Sequence, residues 1–129
     1  MMKQILFADD EESIRSIYKI IINNNFPNCE VEIFPDGNSL AGRLEKDVSN
    51  VILILTDNSM FPGPKGSEII QRYARTPKFN GIPFILSYAG DLNIGEDAVK
   101  SGAFDFIQKP FNLSQFIELL QKACDGYKK

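Results

Sequence analysis

The 129-residue sequence contains no histidine, and this absence removes several kinds of chemistry at once. No histidine of this chain can act as a catalytic base, ligate a metal or carry a phosphoryl group. The chain has only two cysteines, Cys29 and Cys124, which lie far apart and have no CxxC partner. Two ordinary reduced thiols are therefore favoured over a disulfide, a redox pair or a metal site.

The sequence also lacks any apolar run close to the roughly 20 residues that a membrane-spanning helix needs. Its N-terminus leads directly into a predicted strand, without the features of a signal peptide. The 14 basic residues are scattered and the net charge is -3, which is not typical of a nucleic-acid-binding surface. We find no repeat or linker. These features predict one cytoplasmic domain over residues 1–129, with no output domain and no membrane or direct nucleic-acid partner.

Strands and helices are predicted to alternate along the whole chain. The strands are expected at 4–8, 29–34, 51–56, 83–87 and 104–108, each followed by a helix. The third strand is an unbroken apolar run, which indicates burial on both faces of a parallel sheet. Five βα units predict an α/β fold with a doubly wound, five-stranded parallel sheet, for which 2-1-3-4-5 is one common strand order.

Helix signals accompany this pattern. The first helix, over 12–24, has an apolar stripe of Ile14, Ile17, Tyr18, Ile21 and Ile22. Asp36 is the predicted N-cap of the second helix, Asn93 with Glu96 is the predicted capping box of the fourth, and Asn112 with Gln115 is that of the fifth. The inner face of the fifth helix is predicted to carry Phe116, Leu119, Leu120, Ala123 and Tyr127.

Acidic residues stand at the ends of two predicted strands. Asp9 and Asp10 follow the first strand, and Asp57 ends the apolar run of the third. In the order 2-1-3-4-5 these strands are neighbours about 4.8 Å apart, at the switch point where open α/β sheets bind ligands. Crowded carboxylates raise one another's pKa or recruit a cation, and an all-oxygen site suits Mg²⁺.

Each of these residues alone has a simpler interpretation. Asp9 or Asp10 could cap the first helix, Ser87 could be a plain strand-end serine, and Phe106 could be a core residue. Three acids at two adjacent strand ends, with Ser87 and Lys109 at two others, are difficult to explain as caps.

The ordered set of motifs resembles the receiver domain of two-component response regulators, the CheY-like family. The set comprises Asp9-Asp10, the strand ending in Asp57, Pro62-Gly63, Ser87, Gly102-Ala103 and Lys109-Pro110-Phe111. The resemblance covers nearly the whole chain and implies a flavodoxin-like fold.

The resemblance assigns roles by position. It implies that Asp57 accepts a phosphoryl group from a sensor histidine kinase or a histidine phosphotransfer protein. Asp9, Asp10, Asp57 and the backbone carbonyl of Ser59 would bind Mg²⁺, and Lys109 and Ser87 would contact phosphoryl oxygens. In this family such chemistry is limited to self-phosphorylation and self-dephosphorylation, so we do not expect an enzyme in the wider sense.

The resemblance also implies a switch formed by Ser87 and Phe106. The ring would turn inward when Ser87 moves towards the phosphoryl group, which would change the face formed by the fourth helix, fifth strand and fifth helix. That face would bind a downstream protein target and could support a homodimer. The Lys109-Pro110 bond is expected to be cis.

One departure from the family pattern lies in the loop after Asp57. Pro62 stands five residues after Asp57 rather than four, so the loop contains one extra residue. This makes a pseudo-receiver, which binds partners without phosphorylation, one alternative function. A Mg²⁺-dependent phosphohydrolase of the haloacid-dehalogenase type is another, although it would need an Asp-x-Asp motif at the first strand and room for a cap domain.

Overall fold

The computed structural model describes residues 2–126 and forms one parallel sheet covered by helices. Its strands are β1 (Lys3–Ala8), β2 (Cys29–Phe34), β3 (Val51–Asp57), β4 (Phe84–Tyr88) and β5 (Asp105–Gln108). Its helices are α1 (Glu12–Asn25), α2 (Gly37–Leu44), α3 (Gly66–Tyr73), α4 (Leu92–Lys100) and α5 (Leu113–Asp125). A short 3₁₀ turn, Pro77–Phe79, precedes β4.

The strand order is β2-β1-β3-β4-β5, as predicted, and all pairs are parallel. All seven residues of β3 are buried, because it lies at the centre of the sheet with a hydrophobic cluster on each face. One cluster joins the sheet to α2, α3 and α4, and the other joins it to α1 and α5. No helix within residues 2–126 is long and apolar enough to cross a membrane.

Asp36 and Asn112 are confirmed as N-caps. The backbone N–H of Ser39 donates to Asp36 Oδ1 over 2.8 Å, and that of Gln115 donates to Asn112 Oδ1 over 2.8 Å. The predicted Asn93 cap is wrong. Helix α4 begins at Leu92 with Asp91 in the extended N-cap conformation, so Asn93 already lies inside the first turn.

The predicted apolar stripe of α1 is wrong at one position. Ile17 is 52% exposed, whereas Ile14, Tyr18, Ile21 and Ile22 lie against the core. Ile17 projects from the edge of the stripe, where the helix surface has already turned away from the sheet. In α5, Phe116, Leu120 and Ala123 are buried and Leu119 packs against them, while Tyr127 lies outside the described residues.

Candidate functional site

The three predicted acids meet at one edge of the sheet. Asp9 and Asp10 directly follow β1, and Asp57 is the last residue of the neighbouring β3. One carboxylate oxygen from each of the three lies within 4.8 Å of those from the other two. Asp9 and Asp57 are buried, at 1% and 5% exposure, whereas Asp10 is exposed. The cluster therefore has two carboxylates below the surface and one at its mouth.

Lys109 brings a positive charge into this cluster from the end of β5. Its Nζ lies 3.2 Å from Asp9 Oδ2 and 3.2 Å from Asp57 Oδ1. Its backbone N–H donates to the Tyr88 carbonyl over 2.7 Å, which fixes the segment beside β4. The following Lys109-Pro110 bond is cis, as expected, and the Phe61-Pro62 bond is also cis. Lys109 thus links two acids that come from different strands.

The surroundings raise the pKa of Asp57 to about 6. Burial is the main cause, and the negative charge of Asp9 acts in the same direction. The ammonium of Lys109 and the hydrogen bond from the Asn58 backbone oppose this shift. At neutral pH Asp57 is therefore still mainly a carboxylate, but burial of this charge lowers the free energy of unfolding.

The pKa of Lys109 lies above its ordinary value. Burial alone would lower it, but the charges of Asp57 and Asp9 and the hydrogen bonds to both outweigh burial. Lys109 is therefore a permanent cation at neutral pH. One lysine cannot neutralise three carboxylates, and the residual negative charge on a set of hard oxygen donors fits a divalent cation such as Mg²⁺.

The backbone holds Asp9 in a single orientation. Its Oδ1 accepts from the Glu11 N–H over 3.0 Å, while its carbonyl accepts from Arg15 Nη1 over 2.9 Å. Because Oδ1 is engaged locally, Oδ2 is the oxygen that faces Lys109. The simpler interpretation of Asp9 as the cap of the first helix is wrong, because Glu11 is the N-cap of α1; Asp9 holds the turn before the helix and is a member of the cluster.

Ser87 lies beside Asp57 in the sheet. The two residues are direct partners in the pairing of β3 with β4, and Ser87 is 3% exposed. The Asn58 N–H donates to the Ser87 carbonyl over 2.9 Å, which extends the pairing beyond Asp57. The structure therefore places Ser87 at the same edge as the acids, one strand further along.

In the loop after Asp57, one side chain is buried and the next is exposed. Met60 is 3% exposed, and its sulfur lies 3.6 Å from Thr56 Oγ1, whereas Phe61 is 87% exposed. Ser59 is exposed in the same loop. The role of its carbonyl as a metal ligand stays a prediction.

Phe106 lies in β5, two residues before Gln108, which ends the strand. It is partly buried, packs against the cluster on the α4 side of the sheet, and has its ring centroid 5.9 Å from that of Tyr88. Its backbone pairs with Leu86, directly before Ser87. Phe106 therefore packs against the core, in agreement with the simpler interpretation, and its switch role stays a prediction.

Sequence reasoning missed Asn58. Its side-chain oxygen accepts from the Ser67 N–H over 3.0 Å, and its carbonyl accepts from the Gly66 N–H over 3.0 Å. Asn58 thus joins the end of β3 to the first turn of α3 and fixes the residue next to Asp57. Its position directly after the acid was the only available signal.

Sequence reasoning also missed an aromatic stack below Lys109. The ring of Tyr18 lies 4.6 Å from that of Phe116 and 5.9 Å from that of Phe111, which follows Pro110. Burial raises the pKa of Tyr18, and the nearby charges of Lys109 and Asp9 act on it in opposite directions. The stack attaches the Lys109 segment to α1 and α5. Tyr18 was visible only as a member of an apolar stripe.

Comparison with known proteins finds relatives in sequence and in fold. The chain is 36% identical over 123 residues to a putative NtrX-like response regulator of Rickettsia bellii. Its fold is similar to the signal receiver domain of a DNA-binding response regulator from Colwellia psychrerythraea, with a TM-score of 0.83 and 18% identity over 95% of this chain and 98% of that one. The beryllofluoride-activated NtrC4 receiver domain dimer gives a TM-score of 0.79 at 24% identity, over 98% and 100% of the two chains.

These matches differ in how much of each protein they cover. The Rickettsia alignment includes 94% of this chain but only 24% of the relative, so the chain spans about a quarter of that protein. A family model described as the response regulator receiver domain matches residues 5–121. Together with the strand order, this match shows that the chain belongs to the response regulator receiver domain family.

Proposed function

We propose that this receiver domain accepts a phosphoryl group on Asp57 in a Mg²⁺-dependent reaction. The observation that carries the proposal is the position of Lys109 Nζ, 3.2 Å from both Asp57 and Asp9, with Asp10 in the same cluster. A buried carboxylate beside a fixed cation and two further acids is suited to attack on phosphorus and to stabilisation of the charge that develops. Family membership and strand order favour this function over a phosphohydrolase.

In the proposed reaction an Asp57 oxygen forms a bond to phosphorus while the bond to the leaving group breaks. Lys109 leaves the Asp57 carboxylate and pairs with a phosphoryl oxygen, and the Ser87 hydroxyl donates to another. Asp9, Asp10, Asp57 and the Ser59 carbonyl would hold Mg²⁺, which when bound neutralises charge on the phosphoryl oxygens. The residual negative charge of the cluster supports this ligand set.

The proposed donor is the phosphohistidine of a sensor histidine kinase or a phosphotransfer protein in a cytoplasmic pathway. These 129 residues contain no histidine, so the donor histidine lies outside this domain. The proposed output is a change in the face formed by α4, β5 and α5, which would bind a downstream target. Leu92, Val99 and Phe104 are 53%, 40% and 44% exposed in and beside these elements, and could also support a homodimer.

Intact mass after incubation with acetyl phosphate tests the proposal. We expect a gain of one phosphoryl group that requires Mg²⁺ and is lost in Asp57→Asn. Asp97→Asn, which changes an exposed acid on α4, is the matched control and should still gain the group. If the wild-type protein gains nothing even when hydrolysis is slowed by cold, the proposal is wrong and the pseudo-receiver alternative is favoured.

A further inference from the structure

Helix α4 contains a glycine on its buried side. Gly95 is the fourth residue of Leu92–Lys100 and is one of its two buried residues. Glycine weakens a helix interior relative to alanine, because it has more conformational freedom to lose on folding. A glycine is therefore expected at this position only if the space beside it is needed.

The ring of Phe106 occupies that space. A Cβ atom at position 95 would lie 2.4 Å from Phe106 Cδ1, 2.5 Å from Cγ and 2.8 Å from Cε1. Carbon atoms in favourable contact are about 3.5–4.0 Å apart. Cγ is fixed close to the β5 backbone, so a small rotation of the ring cannot remove the overlap. This ring position and a side chain at position 95 exclude each other.

The same ring is connected to the candidate site through the ends of β4 and β5. Phe106 pairs with Leu86 and the next residue, Ile107, pairs with Ser87. Gln108 Nε2 then donates to the Gly90 carbonyl over 2.6 Å, in the turn that leads to α4. A change in the position of the ring would therefore act on both the strand end that contains Ser87 and the helix that contains Gly95.

We propose that Gly95 is a positioning residue, whose missing side chain forms the seat that holds the Phe106 ring against α4. Filling the seat forces the ring out of this position and disturbs the neighbouring strand end that contains Ser87. The effect of Gly95 on the site rests on the proposed phosphoryl-accepting function. The contact between Gly95 and Phe106 does not depend on that function. The two parts are tested by different measurements.

Thermal unfolding tests the seat with a pair of glycine substitutions. Gly42, in α2, is the matched control, because a Cβ there would meet nothing within 4 Å. Gly42→Ala should raise Tm by about 2 °C through the helix preference of alanine. Gly95→Ala should lower Tm by about 4 °C or more. In a Phe106→Ala background the same Gly95→Ala change should raise Tm as it does at Gly42, since the ring is gone.

Binding of beryllofluoride with Mg²⁺, a phosphoryl mimic, tests the effect on the site. Gly95→Ala should change the Kd by about threefold or more, because the displaced ring disturbs the strand end beside the site. The substitution should have no effect on Kd in the Phe106→Ala background. A Kd that is unchanged in Gly95→Ala would overturn the coupling.

The remaining outcomes separate the inference from the proposed function. If Gly95→Ala raises Tm as Gly42→Ala does, no tight seat exists and the inference is wrong. If the wild-type protein neither gains a phosphoryl group nor binds beryllofluoride, the proposed function and the coupling both fail, while the Tm values still decide whether the seat exists. If Gly95→Ala alone does not fold, recovery of folding in Gly95→Ala/Phe106→Ala supports the seat, and failure of both contradicts it.

Discussion

Gly66 approaches the Asp57 backbone so closely that there is no room for a side chain at position 66. A Cβ atom at position 66 would lie 2.3 Å from the Asp57 carbonyl oxygen and 2.9 Å from Leu86 Cδ1. The first residue of α3 is thus pressed against the end of β3, and Asn58 bonds to both Gly66 and Ser67 at the same junction. This contact fixes the backbone that holds the proposed phosphoacceptor.

Gly66→Ala should therefore destabilise the protein. The overlap is with backbone rather than with a flexible side chain, so either β3 or α3 must move, at a cost of about 1–3 kcal/mol in the free energy of unfolding. Urea denaturation measures this change. Gly42→Ala, where the new methyl group is free, should instead stabilise by about 0.4–1 kcal/mol. Equal effects at the two positions would contradict the close approach.

Asp57→Asn should stabilise the protein above pH 6. Burial raises the pKa of Asp57 from 3.8 to about 6, so the folded state favours the protonated acid. The stability that the protonated Asp57 contributes is complete below the pKa of the unfolded state, and it is lost as the pH rises through about 6. At pH 7.5 the ionised group costs roughly 3 kcal/mol, at about 1.4 kcal/mol for each pKa unit, and asparagine removes that cost.

The measurement is the free energy of unfolding of both proteins in EDTA between pH 4.5 and pH 7.5. The gain from asparagine should be largest at pH 7.5 and should shrink as the pH falls from 6 towards 4. A gain that does not vary with pH would mean that the ionisation of Asp57 is not its source.

Mg²⁺ should stabilise the wild-type protein against heat, and Asp10→Asn should remove most of that effect. A ligand that binds only the folded state adds about 1.4 kcal/mol at ten times its Kd. Asp10 is the exposed acid of the cluster, so its loss should disturb the fold less than loss of Asp9. Thermal scans with and without Mg²⁺ provide the test. The control is Glu118→Gln on the surface of α5, which should keep the full Mg²⁺ shift.

Tyr18→Leu should destabilise the protein, whereas Tyr18→Phe should not. Stacked aromatic pairs are worth about 0.5–1.5 kcal/mol beyond their buried area, and Tyr18 contacts both Phe111 and Phe116. Urea denaturation of the two variants separates loss of the ring from loss of the hydroxyl. If the phenylalanine variant is as unstable as the leucine variant, the hydroxyl rather than the stack is what matters.

Met60→Ala should destabilise the protein far more than Phe61→Ala, although the two residues are neighbours. Met60 is buried, and its truncation should cost about 2–5 kcal/mol. Phe61 is 87% exposed, and its truncation should stay within about 0.5 kcal/mol. Chemical denaturation of both variants checks the arrangement of this loop. A large loss for Phe61→Ala would contradict this arrangement of the loop.

The sequence by itself determined the fold class and the meeting of three acids at one edge of the sheet. Alternation of apolar strands with amphipathic helices is a local signal, and a parallel sheet brings the ends of its strands to one edge whatever the details of packing. Asp9, Asp10 and Asp57 could therefore be placed together before any coordinates were known. The caps at Asp36 and Asn112 were also predictable, because a side chain three residues before a helical N–H is a local relationship.

Only the tertiary structure decided how these elements contact one another. The exposure of Ile17, the burial of Met60 and the true start of α4 depend on neighbours that are distant in sequence. The Tyr18 stack, the close approach of Gly66 to Asp57 and the Gly95 seat for Phe106 depend on atoms that pack within a few ångströms. Periodicity identifies the face that a residue occupies, but it cannot show which side chain fills the space opposite, because that is fixed by packing of the whole core.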